Sequence, residues 1–189
     1  MGAEKPEDFG YYFWWGDTTG YKRENNAWVA VDDSSTNFSF NSSNVPTYGK
    51  DNAALLAAGY IDSTGNLAAA HDAATAHLGA PWRMPTDAEF SALLRNCTTT
   101  WTTRNGVSGR LITGKGDYAD RSIFLPASGY GDSSSLYGPG SGGFYWSSAP
   151  RSEDSDYAWI LYFNSDYFYR SDNRRYAGFL VRPLRGFAD

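Results

Sequence analysis

Apolar residues along this chain fall into short runs separated by clusters of Gly, Pro, Asn, Ser and Asp, a pattern of short elements and many turns. Tyr11-Tyr12-Phe13-Trp14-Trp15, closed by Gly16-Asp17, predicts a buried strand, and Ala27 to Val31 predicts another. The Ser/Asn-rich segment from Asp32 to Asn44 predicts a loop. Asp51 to Ala58 predicts a short helix stopped by Gly59. Leu67 to Leu78 predicts a second, with Asn66 as its N-cap and Gly79 just past its end. The clearest local signal is Pro85-Thr86-Asp87-Ala88-Glu89. Thr86 can accept from the amide of Glu89 while Glu89 reaches back to the amide of Thr86, a capping box, and Asp87 suits the positive end of the helix dipole. The helix it starts should run from Asp87 to about Arg95, with Phe90, Leu93, Leu94 and Cys97 on one buried stripe. A cap accounts for Glu89 without a catalytic role. Arg110 to Thr113, Ser122 to Leu125, Gly143 to Ser147 and three runs in the last quarter predict strands, set apart by Asn105-Gly106, Gly114-Lys115-Gly116 and Gly138-Pro139-Gly140. Helices first and strands later predict an α+β fold, with helices packed on an antiparallel sheet. The glycines from Gly138 to Gly143 do not form a phosphate loop, because Phe144-Tyr145-Trp146 follows them and no Lys-Ser/Thr does.

Between Tyr145 and Arg185 two chemistries alternate. Trp146, Trp159, Leu161, Phe163, Phe168, Phe179 and Val181 are residues that a sheet buries. Interleaved with them are Tyr, Arg, Asp, Ser and Asn in the proportions of an antibody paratope, where Tyr gives stiff amphipathic contact area and Arg a fork for carboxylates and aromatic faces. Side-chain alternation puts Trp159, Leu161 and Phe163 on one side of a strand, predicted to face inward, and Ile160 and Tyr162 on the other, predicted to face outward. The candidate ligand-binding residues are Arg151, Ser152, Asp154, Ser155, Asp156, Tyr157, Ile160, Tyr162, Asp166, Tyr167, Tyr169, Arg170, Asp172, Asn173 and Tyr176. A Tyr-rich antiparallel sheet with a solvated face accounts for the same composition equally well.

Composition narrows the class. A chain of 189 residues suits one domain, over residues 1–189, that needs no metal or disulfide to hold it together. Aromatic residues at 17% with 20 Gly suit a loop-rich sheet protein rather than a helical bundle. The net charge of −5, with Lys5, Lys22, Lys50 and Lys115 scattered, argues against nucleic-acid binding. No apolar run is long enough to span a bilayer. Met1-Gly2-Ala3 opens the chain without the basic and apolar pattern of an export signal. Cys97 is the one cysteine, so no intrachain disulfide forms, and its spacing suits a buried small hydrophobe. His71 and His77 lie six apart on the predicted second helix, whereas a zinc pair on one helical face needs a spacing of four. They are expected to be structural, and no metal or cofactor is expected.

Four motifs in order carry a family resemblance: Trp82-Arg83-Met84-Pro85-Thr86 with Glu89 and Leu93, then Phe124-Leu125-Pro126-Ala127-Ser128-Gly129-Tyr130, then Tyr145-Trp146-Ser147-Ser148, then Gly178-Phe179-Leu180-Val181-Arg182-Pro183. From Gly10 onward the chain resembles the bacterial Fibrobacter succinogenes major paralogous domain, which implies a formylglycine-generating-enzyme variety of the C-type-lectin-like fold. The segment 144–185 is similar to the variable region of proteins diversified by retroelements, in which template adenines are mutated during reverse transcription. The residue types are compatible with that. An Asn codon with both adenines randomised never yields Trp, Met, Lys, Glu or Gln, and from Arg151 to Ala177 the exceptions are Glu153 and Trp159. The resemblance implies a non-enzymatic protein that displays a hypervariable surface to a protein or cell-surface ligand, a glycan among them, and a location on a cell surface or phage particle. A fixed-specificity adhesin or glycan-binding module of the same fold is the alternative. Enzymatic readings come third. Active formylglycine-generating enzymes rely on reactive cysteines, which a chain with Cys97 alone lacks, and the Glu-Pro-Asn, Gln-Pro-Asp and Trp-Asn-Asp motifs of calcium-dependent lectins do not occur. Asp154, Asp156, Asp166 and Asp172 share one region and would serve a glycoside hydrolase only if two of them stood about 5–9 Å apart.

Overall fold

The computed structural model describes residues 1–186 and is mixed α+β, mostly sheet with a few short helices. In chain order the elements are β1 (Tyr12–Phe13), β2 (Tyr21–Glu24), β3 (Ala27–Ala30), α1 (Asn52–Ala57), α2 (Ala73–Leu78), β4 (Trp82–Arg83) and α3 (Asp87–Asn96). There follow β5 (Cys97–Arg104), β6 (Val107–Gly114), β7 (Ser122–Pro126), β8 (Tyr130–Asp132), β9 (Ser135–Tyr137) and β10 (Gly143–Pro150). The last are β11 (Tyr157–Phe163), β12 (Phe168–Arg174), β13 (Phe179–Leu180) and β14 (Leu184–Arg185). A seven-stranded sheet in the order β12-β11-β10-β13-β1-β2-β3 joins the two ends of the chain, with β10 and β13 parallel and the other neighbours antiparallel. Strands therefore both precede and follow the helices. The simple order of helices first and strands later does not hold, because β1 is needed at the centre of the sheet beside β13.

The sheet is covered on both faces. Along each central strand neighbouring residues enter different clusters: Phe13, Trp146, Ile160 and Phe179 pack with Trp15, Leu55 and Ala74, while Tyr12, Tyr145, Leu161 and Leu180 pack with Trp28, Phe40 and Phe90. Strands buried on both faces read as continuous apolar runs, which explains the Tyr11–Trp15 run. Three of the buried aromatic tips are satisfied across strands, while Trp28 Nε1 is buried without a partner among the described residues. Trp146 Nε1 donates to the Phe13 carbonyl at 2.8 Å, Trp15 Nε1 to the Ser147 carbonyl at 3.0 Å, and the Tyr145 hydroxyl to the Pro126 carbonyl at 2.7 Å.

Local chemistry sets the helices. The capping box forms as its sequence predicts, with Glu89 N donating to Thr86 Oγ1 at 3.2 Å and Thr86 N to Glu89 Oε2 at 2.8 Å. Glu89 also takes a two-pronged ion pair from Arg83, at 2.7 and 2.6 Å, and this pair holds its carboxyl below the usual range. The second helix is shorter than predicted. It starts at Asp72, whose carboxylate accepts from Thr75 N and from Met84 N, while Leu67 N is drawn instead to the Ser148 carbonyl. His71 thus precedes the helix and lies against the Tyr60 ring, and His77 Nε2 meets the Thr18 carbonyl at 2.8 Å. β5 was not anticipated. Its Thr-rich sequence pairs with β6 through a hairpin at Asn105-Gly106, both at positive φ, the conformation a two-residue type I′ turn requires.

Candidate functional site

The β11–β12 hairpin forms the free edge of the large sheet, and its turn is fixed by more than its own sequence. Asn164 Oδ1 accepts from the amides of Asp166 and Tyr167 at 2.9 and 2.7 Å, while Asn164 Nδ2 donates to the Tyr162 hydroxyl at 3.0 Å. From β6, the buried Arg110 donates to the carbonyls of Asn164 and Ser165 at 2.9 Å each and to Thr99 Oγ1 at 2.8 Å, and its guanidinium lies over the Phe168 ring. The hairpin tip is therefore held from beneath by a charge-assisted clamp.

One face of the hairpin opens into a cleft of about 510 Å³. Its first wall is a ladder of rings. Tyr137 stacks on Tyr130 (centroids 5.5 Å apart), Tyr130 meets Phe144 (5.0 Å), Phe144 meets Tyr162 (4.9 Å), and Tyr162 meets Tyr169 (5.2 Å). Phe144, Tyr162 and Tyr169 lie directly opposite one another across β10, β11 and β12, so the ladder follows from strand register. The second wall is Tyr157, Arg174 and Tyr176, with Arg174 Nη1 donating to the Tyr176 hydroxyl at 2.7 Å and Tyr48 packed behind Tyr176. Ser171 and Asn173 line it from β12, following Tyr169 at the two-residue spacing of a strand face, and Ile160 and Ala177 are buried at its floor.

The fifteen candidate residues separate accordingly. Tyr157, Ile160, Tyr162, Tyr169, Asp172, Asn173 and Tyr176 line the cleft. Ile160 is not an outward display position: it is 1% exposed and packs with Trp146 and Phe179, because this face of β11 is covered where an exposed face was predicted. Trp159 is likewise not core. It is half-buried, with the Arg170 guanidinium 4.3 Å and that of Arg151 5.9 Å from its ring. Arg170 and Arg151 are occupied there, Arg170 by Asp87 at 2.6 Å and Arg151 by Asp172. Tyr167 and Asp166 stand exposed at the hairpin tip. Ser152, Asp154, Ser155 and Asp156 lie in the β10–β11 loop, where Asp154 Oδ1 accepts from the Asp156 amide at 3.0 Å and the Asp156 carbonyl from the Arg175 amide at 2.8 Å. Of the four aspartates, Asp154 and Asp156 lie in the β10–β11 loop, Asp166 in the β11–β12 turn and Asp172 within β12, where Arg151 engages it.

Tyr130, Asp132, Phe144, Ser171 and Arg174 line the cleft without having been singled out. Ser171 had a legible signal in its spacing from Tyr169 and Asn173. Tyr130 and Asp132 had none, because β8 is brought to the cleft by long-range contacts, among them the isolated bridges Gly131–Gly178 and Gly129–Gly143. Behind the second wall Arg175 is wholly buried. It donates to the carbonyls of Tyr157, Thr47 and Lys50 at 2.9, 2.9 and 2.7 Å and lies over Trp15. Burial lowers it to about 10, so it stays charged at neutral pH.

Among the described residues no group of three or more His, Cys, Asp and Glu is placed to hold a metal ion, and no helix is long and apolar enough to cross a membrane. A family described as a domain of unknown function (DUF8237) matches residues 114–184, a span that includes every residue lining the cleft. No curated protein and no solved structure matches the chain.

Proposed function

We propose that this chain is a non-enzymatic ligand-binding protein of C-type-lectin-like fold whose hairpin cleft displays a retroelement-diversified surface to a protein or cell-surface ligand. One observation carries the reading. Tyr157, Tyr162, Tyr169, Ser171, Asn173 and Tyr176 all line the cleft and all are types that a randomised Asn codon yields, whereas Trp159 and Glu153, which it does not yield, stay out of that lining. The chemistry suits the role. Tyr rings offer area at little entropic cost, the short amide and hydroxyl side chains adapt, and the backbone beneath is pinned by Arg110 and Arg175.

Sequencing the DNA beside the gene tests diversification. A near-identical repeat of the segment encoding residues 144–185, altered at adenines and accompanied by a reverse-transcriptase gene, is the expected finding. Their absence would favour a fixed-specificity adhesin or glycan-binding module using the same cleft.

A further inference from the structure

The charge arrangement inside the cleft narrows its ligand, on the premise that the cleft is the binding surface. Three arginines on or beside the hairpin are engaged: Arg151 with Asp172, Arg170 with Asp87, and Arg175 with three backbone carbonyls. Arg174 differs. It is exposed, lines the cleft, and has no ion-pair partner among the described residues. Its contacts are neutral, the Tyr176 hydroxyl at 2.7 Å and the Tyr157 hydroxyl 3.4 Å from Nε. Those two phenols orient the guanidinium and leave its charge uncompensated, so an incoming anion displaces no carboxylate. A planar guanidinium donates to carboxylate or sulfate oxygens two at a time.

We infer that the cleft binds an acidic saccharide, its carboxylate or sulfate received by Arg174 and its sugar rings laid along Phe144, Tyr162 and Tyr169. The C–H face of a pyranose is apolar with slightly positive hydrogens, and it packs on the electron-rich face of an aromatic ring for the reason cations do. Ser171 and Asn173 offer hydroxyl and amide partners for ring hydroxyls. Asp132, toward the Tyr130 end, offers a carboxylate that accepts from them. A peptide fits less well. The non-aromatic apolar lining is Ile160 and Ala177, both buried at the floor, which leaves little to anchor an apolar side chain.

The test uses the full chain on an array of neutral, sialic-acid-terminated, uronate-containing and sulfated saccharides, beside an array of Asp/Glu-rich peptides. Binding to acidic saccharides is expected, weakened roughly tenfold or more by Arg174→Ala. Tyr176→Phe keeps the charge but removes the hydroxyl that orients it and should weaken the same members less. The division among sialic acid, uronate and sulfate identifies the anion. Urea midpoints of both variants should match the wild type, since Arg174 is exposed. Binding only to neutral saccharides, or acidic binding unaffected by Arg174→Ala, overturns the inference. So does capture of acidic peptides in place of saccharides, or of nothing on either array. In each of those cases a template repeat beside the gene would still uphold the cleft as a diversified surface, so the two readings fail separately.

Discussion

Trp146 and Trp159 lie on adjacent strands and do opposite work. Trp146 is 0% exposed and spends its indole N–H on the Phe13 carbonyl, so Trp146→Ala should destabilise by about 3–5 kcal/mol through lost burial and a cavity. Trp159 is held at the surface by Arg170 and Arg151, and cation–π contacts of about 0.5–1 kcal/mol each put Trp159→Ala at about 1–2 kcal/mol. Urea midpoints compare the two, and equal losses would contradict the assignment of Trp159 to the surface. A second residue sets a pH dependence. Asp17 is buried in the turn after β1, accepting from Thr19 N and Gly20 N at 2.9 and 3.0 Å, and burial outweighs those bonds and pushes its carboxyl up to about 6. The folded state therefore holds this proton more tightly than the unfolded chain, whose Asp titrates near about 4. Its contribution is full below about pH 4 and is lost as pH rises through 6. Measured against Asp17→Asn, wild-type stability should fall by up to about 3 kcal/mol between pH 4 and 7, at about 1.4 kcal/mol per unit. A difference that stays constant over this range would show that the amide bonds, not burial, govern the carboxyl.

In the β11–β12 hairpin, display and scaffold are separated by depth rather than simply by strand parity. The alternation of Trp159, Leu161 and Phe163 against Ile160 and Tyr162 was legible in the sequence, but which face would be open was not, because that depends on what the first third of the chain lays over the sheet. Trp15 and Leu55, distant in sequence, close over Ile160. Tyr162 is intermediate: half-buried, between Phe144 and Tyr169, its hydroxyl accepting from Asn164. Tyr167 and Tyr169 are 60% and 44% exposed. Replacing Tyr167 by Ala should change stability by less than about 0.5 kcal/mol, and replacing Tyr169 by about 0.5–1 kcal/mol, since it loses its pair with Tyr162 but little burial. Tyr162→Ala should cost about 1–2 kcal/mol, since an aromatic pair adds about 0.5–1.5 kcal/mol beyond its burial. Thermal unfolding of the three variants checks the order, and Tyr169→Ala as damaging as Tyr162→Ala would show that the β12 end of the ring ladder belongs to the core. The Thr-rich β5 escaped notice for a related reason. Its apolar content is low, and only the pairing with β6 makes it a strand.

Across the whole molecule, the legible features were those written locally: the capping box, the Asn105-Gly106 turn, the apolar runs and the concentration of Tyr after Tyr145. Features made by pairing distant segments were not, among them β1 beside β13, the Tyr130 contribution to the cleft, and the burial of Arg175. Arg175 shows what such a pairing does. A charge with 0% exposure is costly unless its donors are used, and here Nη1 reaches the Thr47 carbonyl 128 residues away and the Lys50 carbonyl, and Nε the Tyr157 carbonyl at the start of β11, with Trp15 beneath the guanidinium and Nη2 buried without a partner among the described residues. It thereby ties the first quarter of the chain to the hairpin and backs the cleft wall that Arg174 and Tyr176 present. Arg175→Leu removes charge-assisted donors from three backbone carbonyls, which should cost about 3–5 kcal/mol. Arg175→Lys keeps the charge but not the planar fork, so it should recover only part of the loss. Arg174→Ala, one residue away on the exposed side, should leave the urea midpoint nearly unchanged. An Arg175→Leu midpoint as close to wild type as that of Arg174→Ala would mean that the two ends of the chain hold together without the buried guanidinium.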